Sequence, residues 1–329
     1  MRFSIIIPVF NRPDEVDELL ASLTTQTVRD FEVVIVEDGS SVPCEDVVAR
    51  YEDGLDVHYF MKPNSGPGQS RNYGVERAQG DYVLILDSDV VLPDTYIEEV
   101  SKELDADPCD AFGGPDRAHP DFTPMQKAIN YGMTSFFTTG GIRGGKKKLD
   151  KFYPRSFNMG VKRDVYLSLG GFSEMRFGED IDFSTRIFKA GHSCRLFPEA
   201  WVWHKRRTNL KRFFKQVHNS GIARINLTLR HPGTLKLVHL LPALFTVACA
   251  VLLIGEVFCV WSVAPLVLYA LLIFIDASIK EKSVGVGLRA IAAAYVQLVG
   301  YGTGFIRSWW RRMVLKKPEF EAFKKNFYK

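Results

Sequence analysis

The chain opens on a short apolar run, Phe3–Pro8, that fits a buried strand. Pro13–Gln26 follows, with proline near its start and Val16, Leu19, Leu20 and Leu23 at helical spacing, and predicts a helix with one apolar face. Phe31–Val36 predicts a second strand, and Glu37–Ser41 a polar turn. Val42–Tyr51 reads as a helix and Val57–Phe60 as a third strand, and a further helix opens at Gly66–Gly68 and runs to Ala78. A fourth strand, Tyr82–Leu86, ends in Asp87-Ser88-Asp89. Strand and helix alternating in this order predict an α/β fold with a mostly parallel, Rossmann-like sheet. Ligands of such sheets gather at the carboxyl ends of strands, where Glu37–Ser40 and Asp87–Asp89 both fall.

The pattern changes after residue 236. Leu237–Ile254 and Val257–Ile275 are apolar stretches without Lys, Arg, Asp or Glu, each long enough to cross a hydrocarbon core of about 30 Å as a helix. Joined near Gly255 and Glu256, they predict a transmembrane hairpin over residues 237–275. Arg224, Arg230 and Lys236 precede the hairpin, Lys280 and Lys282 follow it, and the connection carries no Lys or Arg. The positive-inside rule therefore places both ends in the cytoplasm. A third apolar stretch, Val284–Ile306, begins a segment, 284–329, that ends in a basic tail. It contains Arg289 and Gln297, and is read as an interfacial or re-entrant helix in preference to a span. Gly300 and Gly304 offer a close-packing face, within one chain or between chains, so a homo-oligomer is left open. Trp309 and Trp310 suit an interfacial anchor.

Charge follows the same division. Residues 231–329 hold 12 Lys/Arg and five Asp/Glu, while the remainder holds 30 and 33, so a mildly acidic front meets a basic, apolar back. That distribution argues against nucleic acid as a partner. From His204 to Lys236 there are nine Lys/Arg and no acid, with Phe213, Phe214 and Val217 interleaved. Residues 206–236 therefore predict a juxtamembrane amphipathic helix on anionic headgroups. Gly140–Lys151 is a glycine-rich cationic loop, read as a floppy excursion, as a lid over an anion or as a contact with lipid phosphates. Five irregularly spaced cysteines make neither a disulfide framework nor a zinc module, and favour a reducing compartment. No apolar stretch of signal-peptide type starts the chain.

Asp87 and Asp89 at a strand end repel one another unless a cation or hydrogen bonds compensate, which suits Mg2+ or Mn2+ shared with a diphosphate. A solvated turn would use the same residues. Asp38 is either a turn former beside Gly39 or an acceptor for a base N–H. Gly66–Asn72 leads into a helix whose amides, with Arg71, suit phosphate. Glu179 and Asp180 follow Gly178 at a helix start, as dipole complements or as a base facing a cleft. His204, in a strand-like Trp-Val-Trp-His, is a half-buried histidine or a metal ligand from a remote segment. Neither a Gly-x4-Gly-Lys-Ser/Thr loop nor a dinucleotide-binding Gly-x-Gly-x-x-Gly turn is present.

The ordered set SIIIPVFNR, VVIVEDGS, GPGQSRNYGVERAQGDYVLILDSD, NMGVKRDVYLSLGGF and GEDIDFSTRIFKAG resembles the family 2 glycosyltransferases of the GT-A fold, over about residues 3–205. The resemblance implies inverting transfer of a sugar from a nucleotide-diphospho-sugar donor. It implies that Pro8, Asn11, Glu37, Asp38, Arg71, Asn72, Asp87 and Ser88 line the nucleotide-sugar site. Glu37 departs from the family's paired aspartates by one methylene. Asp87, Asp89 and His204 would hold the metal. Asp180, with Glu179 beside it, matches the catalytic carboxylate, and Asn158 and Gly171 fall on the acceptor side. The Gln-x-x-Arg-Trp of processive synthases in this family is absent.

Together these readings expect a GT-A catalytic domain over 1–205, anchored at the cytoplasmic face of a bacterial inner membrane. The acceptor expected there is a lipid-linked saccharide or glycolipid. Transfer to a polyprenyl phosphate, making a lipid-linked monosaccharide, is the alternative. A non-catalytic membrane scaffold is a further one, against which Asp87, Asp89 and Asp180 argue.

Overall fold

The computed structural model describes residues 1–140 and 152–320. The cationic loop singled out in the sequence, apart from Gly140, lies outside the described residues, as does the basic tail beyond residue 320. The chain forms two compact units: Met1–His119 with Asp150–Lys205 and Phe320–Lys329, and Pro120–Leu149 with Arg206–Glu319.

In the first unit, β1 (Phe3–Val9), α1 (Pro13–Thr24), β2 (Phe31–Asp38), α2 (Glu45–Val48), β3 (Val57–Lys62), α3 (Pro67–Arg77) and β4 (Tyr82–Leu86) follow the alternation predicted. Then come β5 (Val90–Val91), α4 (Tyr96–Ala106), β6 (Ala111–Gly113) and β7 (Asp116–Arg117). The seven-stranded sheet has the order β3-β2-β1-β4-β8-β6-β9, with β8 (Asn158–Lys162) and β9 (Cys194–Leu196). Only β8 runs antiparallel to its neighbours, so the sheet is mostly parallel. The apolar runs of β1, β2 and β4 are buried along their whole length because both faces are covered. The helix expected over Val42–Tyr51 is shorter. Asn11 Oδ1 accepts from the amides of Ser41 and Val42, which holds that stretch as a loop, and α2 starts only at Glu45.

A small second sheet, β5-β10-β7, uses β10 (Val202–His204) as its centre. His204 pairs with Val90, next to Asp89, and Trp203 pairs with Val91 and Arg117. The remaining helices of this unit are α7 (Arg163–Ser168) and α8 (Glu179–Lys189).

The second unit is helical. It holds α5 (Pro124–Thr134), α6 (Phe136–Thr139), α9 (Leu210–Arg230), α10 (Leu241–Gly255), α11 (Ala264–Lys280) and α12 (Val284–Trp309). Pro120–Leu149 was expected within the first unit, but α5 packs on α12, where Gly132 would bring a Cβ to 3.2 Å from the Ala293 carbonyl. Among the described residues, three helical stretches are long and apolar enough to cross a membrane: Leu237–Gly255, Val260–Lys280 and Val284–Val314. The third is the hub. A Cβ on Gly304 would lie 2.0 Å from the His218 carbonyl oxygen, and one on Gly302 would lie 2.4 Å from that of Pro242. A Cβ on Gly287 would lie 2.9 Å from the Phe274 carbonyl oxygen, so α9, α10 and α11 all approach α12 through glycine. Phe213, Val217 and Ile222 of α9 are buried. Phe213 and Val217 of the face expected to lie on lipid are thus covered by protein, while Phe214, Lys211, Arg212 and Lys215 remain exposed.

Candidate active site

Parallel strands place the candidate residues at one end of the sheet. Val9 of β1 pairs with Glu37 of β2, and β4 delivers Asp87 just past Leu86. Pro8 is buried opposite Val36. Glu37 is fully buried, and its longer arm reaches the Cys44 amide at 2.9 Å, the Ser40 hydroxyl and, at 3.4 Å, the Tyr59 hydroxyl. Its carboxylate is spent on the loop instead of facing the cleft. Asn11 behaves similarly. Its backbone is left-handed, φ 54°, which asparagine tolerates, and its amide oxygen caps the Ser41–Val42 loop.

Asp38 is also fully buried. It accepts from the Ser65 amide at 2.9 Å, from the Gly66 amide at 2.8 Å, and from the Lys62 ammonium. Those contacts fix the entry to α3, where Gly66 has φ 94°. On α3, neighbouring side chains face opposite ways. Asn72 uses both ends of its amide on Phe172 and accepts a further bond from Tyr166. A Cβ on Gly171, φ 61°, would sit 2.3 Å from Asn72 Oδ1, so Gly171 packs closely against Asn72. Asn158 is likewise a core residue: it accepts from Tyr96 at 2.7 Å and donates to the Ala200 carbonyl at 2.8 Å.

Arg71 points the other way and joins the two acidic motifs. One nitrogen donates to Asp87 at 2.6 Å, another to Glu179 at 3.3 Å, and the guanidinium lies 5.2 Å from the Phe172 ring centre. Ser88 is buried between the two aspartates. Asp89 faces His204 Nε2 at 3.2 Å and Arg12 at 3.5 Å. The His204 ring stacks on Phe157, with centroids 4.9 Å apart. Asp87, Asp89 and His204 each offer a ligand atom within 4.8 Å of the others. The residues fit a divalent ion: two carboxylates and an imidazole converge, with the imidazole oriented by ring stacking.

Gly178, φ 83°, turns the chain into α8, so Glu179 and Asp180 occupy its first turn, where the helix dipole favours negative charge. Asp180 pairs with Arg155 at 2.6 Å. Burial pushes the Asp180 carboxyl up, but Arg155, by charge and hydrogen bond, outweighs it and holds the group below the usual aspartate range. Glu179 goes the other way: burial and the adjacent Asp180 charge raise it, against the pull of Arg71. Neighbouring carboxyls driven apart in this way suit different roles in proton transfer. Arg12 and Arg155 were not singled out in the sequence. Arg12 lies within the SIIIPVFNR motif, whereas Arg155 has no motif of its own.

The family model described as Glycosyl transferase family 2 matches residues 4–170, and the chain belongs to that family. An uncharacterized glycosyltransferase of Haemophilus influenzae is 32% identical over 193 residues, 56% of this chain and 62% of the relative. An uncharacterized glycosyltransferase of Rickettsia conorii is 39% identical over 88 residues, 27% of this chain, and the match spans 15% of that relative's length. Among solved structures, a mannosyltransferase from Pyrobaculum calidifontis in complex with GDP-Man and Mn2+ is similar in fold, with TM-score 0.63. Its identity is 20%, over 90% of this chain and 87% of that one.

Proposed function

We infer that this chain transfers a sugar from a nucleotide-diphosphate donor to a hydroxyl of a membrane-associated acceptor, with inversion at the anomeric carbon. One arrangement carries the reading: Asp87, Asp89 and His204 converge at the end of β4, and Arg71 ties Asp87 to Glu179, the neighbour of Asp180. The solved fold neighbour holds a nucleotide sugar and Mn2+, which supports the same class of donor here.

Asp87, Asp89 and His204 would hold the metal, with Mn2+ favoured over Mg2+ by the nitrogen donor. Bound there, the ion would neutralise the leaving diphosphate. Asp38 shapes the nucleobase side by holding Ser65 and Gly66, with Pro8 beside it, while Asn11 and Glu37 fix the adjoining loop. Asp180, ionised at neutral pH through Arg155, takes the proton of the attacking hydroxyl, a role worth roughly 10²–10⁴-fold. No protein nucleophile is needed. Arg71 keeps Asp87 and Glu179 from repelling one another. A lipid-linked saccharide is the acceptor class that the apolar helices and the exposed Lys211, Arg212 and Lys215 favour, with catalysis at the cytoplasmic face.

The direct test is binding of UDP-, GDP-, dTDP- and CMP-sugars to detergent-purified protein, with and without Mn2+, beside Asp89→Asn. Saturable binding that needs both metal and Asp89 is expected. A folded protein that binds no donor would favour the scaffold reading. Product analysis with lipid-linked saccharide and polyprenyl phosphate then separates the two acceptor classes.

A further inference from the structure

At the opposite ends of the same strands lies a second group of ionisable side chains, Glu32, Asp56 and His58. Glu32 is near the start of β2, six residues and so about 20 Å along the strand from Asp38. His58 is in register with Val34 on the edge strand β3, and Glu32 is two residues before Val34, so both project from one face. Asp56, two residues before His58, joins them. Its carbonyl already accepts from the Val33 amide at 2.8 Å, which fixes its place in the ladder.

His58 Nε2 lies 3.2 Å from Asp56 Oδ1 and 3.4 Å from Glu32 Oε2, and all three ligand atoms fall within 4.8 Å of one another. Donors bound tetrahedrally at about 2.0–2.1 Å from one Zn2+ stand roughly 3.3 Å apart, so the two histidine distances match edges of such a site. An independent observation comes from Glu32, whose side chain is 0% exposed. Its Oε1 accepts from Ser4 Oγ at 2.5 Å and from the Gln79 amide at 2.6 Å. Its Oε2 is buried, has no hydrogen-bond donor and is directed at His58. A neutral imidazole carries one N–H, so Nε2 cannot donate fully to Asp56 and Glu32 together. A buried carboxylate oxygen without a hydrogen-bond donor is costly. A divalent ion would satisfy all three groups, and the partly exposed His58 and Asp56 leave an entry path and room for water as fourth ligand.

We propose that Glu32, Asp56 and His58 form a Zn2+ site, separate from the candidate active site, that clips the edge strand β3 to β2. The test uses full-length detergent-purified Asp89→Asn protein, so that the other centre is disabled. It is titrated with Zn2+ by calorimetry, and its metal content is measured after gel filtration. Retention of one equivalent and a higher Tm with Zn2+ are expected. Adding His58→Gln should weaken Zn2+ binding by roughly tenfold or more and abolish the Tm rise. Asp56→Asn, at an exposed position, should do the same, and decides alone if the histidine variant does not fold. No retained Zn2+ in Asp89→Asn, or equal retention in both added variants, as binding through the exposed Cys259 would give, overturns the proposal.

Discussion

Asp180 and Glu179 are adjacent in sequence yet are held in opposite electrostatic states, and each state can be measured. Asp180→Asn should abolish turnover while leaving donor affinity nearly unchanged; equal losses in both would remove Asp180 from the base role. Arg155→Gln removes what holds Asp180 down, so the acid limb of the pH–rate profile should move to higher pH. Glu179 affects stability instead. Its carboxyl in the folded chain is raised above the ordinary 4.5. The folded state therefore binds more protons than the unfolded state between the ordinary value and the raised one, and stability falls as pH rises through that window. Glu179→Gln should flatten that fall, as followed by Tm across pH. The acidic residues were legible because strand ends and a glycine-led helix start mark them locally. The arginines that tune them were not. Arg155 reaches Asp180 across 25 residues and Arg12 reaches Asp89 across 77, and ion pairs at such separations leave no periodic trace in the chain.

Among the elements, β1 to β4 and α1 and α3 were readable from period and punctuation. The helix at Val42–Tyr51 was not, because a side chain 30 residues earlier decides its start. In the second unit the glycines of α12 are the sensitive points. Gly304→Leu should push α9 from α12, since the added Cβ meets backbone at 2.0 Å, and cost at least about 1–3 kcal/mol, read as earlier thermal inactivation in detergent. Gly285→Ala is the contrast. Its nearest neighbour is the flexible end of Arg289 at 3.3 Å, so it should be neutral or slightly stabilising. The third apolar stretch was read as interfacial or re-entrant because it carries Arg289 and Gln297 and because spanning would put the basic tail outside. In the structure it is one uninterrupted 26-residue helix with neighbours on several faces, and its polar residues did not reveal that hub role.

For the whole molecule, the charge pattern predicts sidedness. The connection between α10 and α11 contains Cys259, which is exposed, whereas Cys44, Cys109 and Cys249 are buried. A membrane-impermeant maleimide applied to intact cells should label Cys259 from outside. Labelling that appears only after the membrane is broken would reverse the orientation. Membership of the family was legible because its motifs sit on consecutive elements. The grouping of α5 with the helical unit was not legible, since it depends on packing against α12, more than 140 residues later.

Arg71 has a consequence for the order of events. A single guanidinium is shared between Asp87, on the proposed donor side, and Glu179, beside the proposed base. Whatever engages Asp87 changes the hold on Glu179, and by thermodynamic reciprocity the reverse is true to the same degree. Donor and acceptor would then report to each other without any movement of the backbone. Arg71→Lys, which keeps the charge but loses the fork, should make the two ligands bind independently of one another.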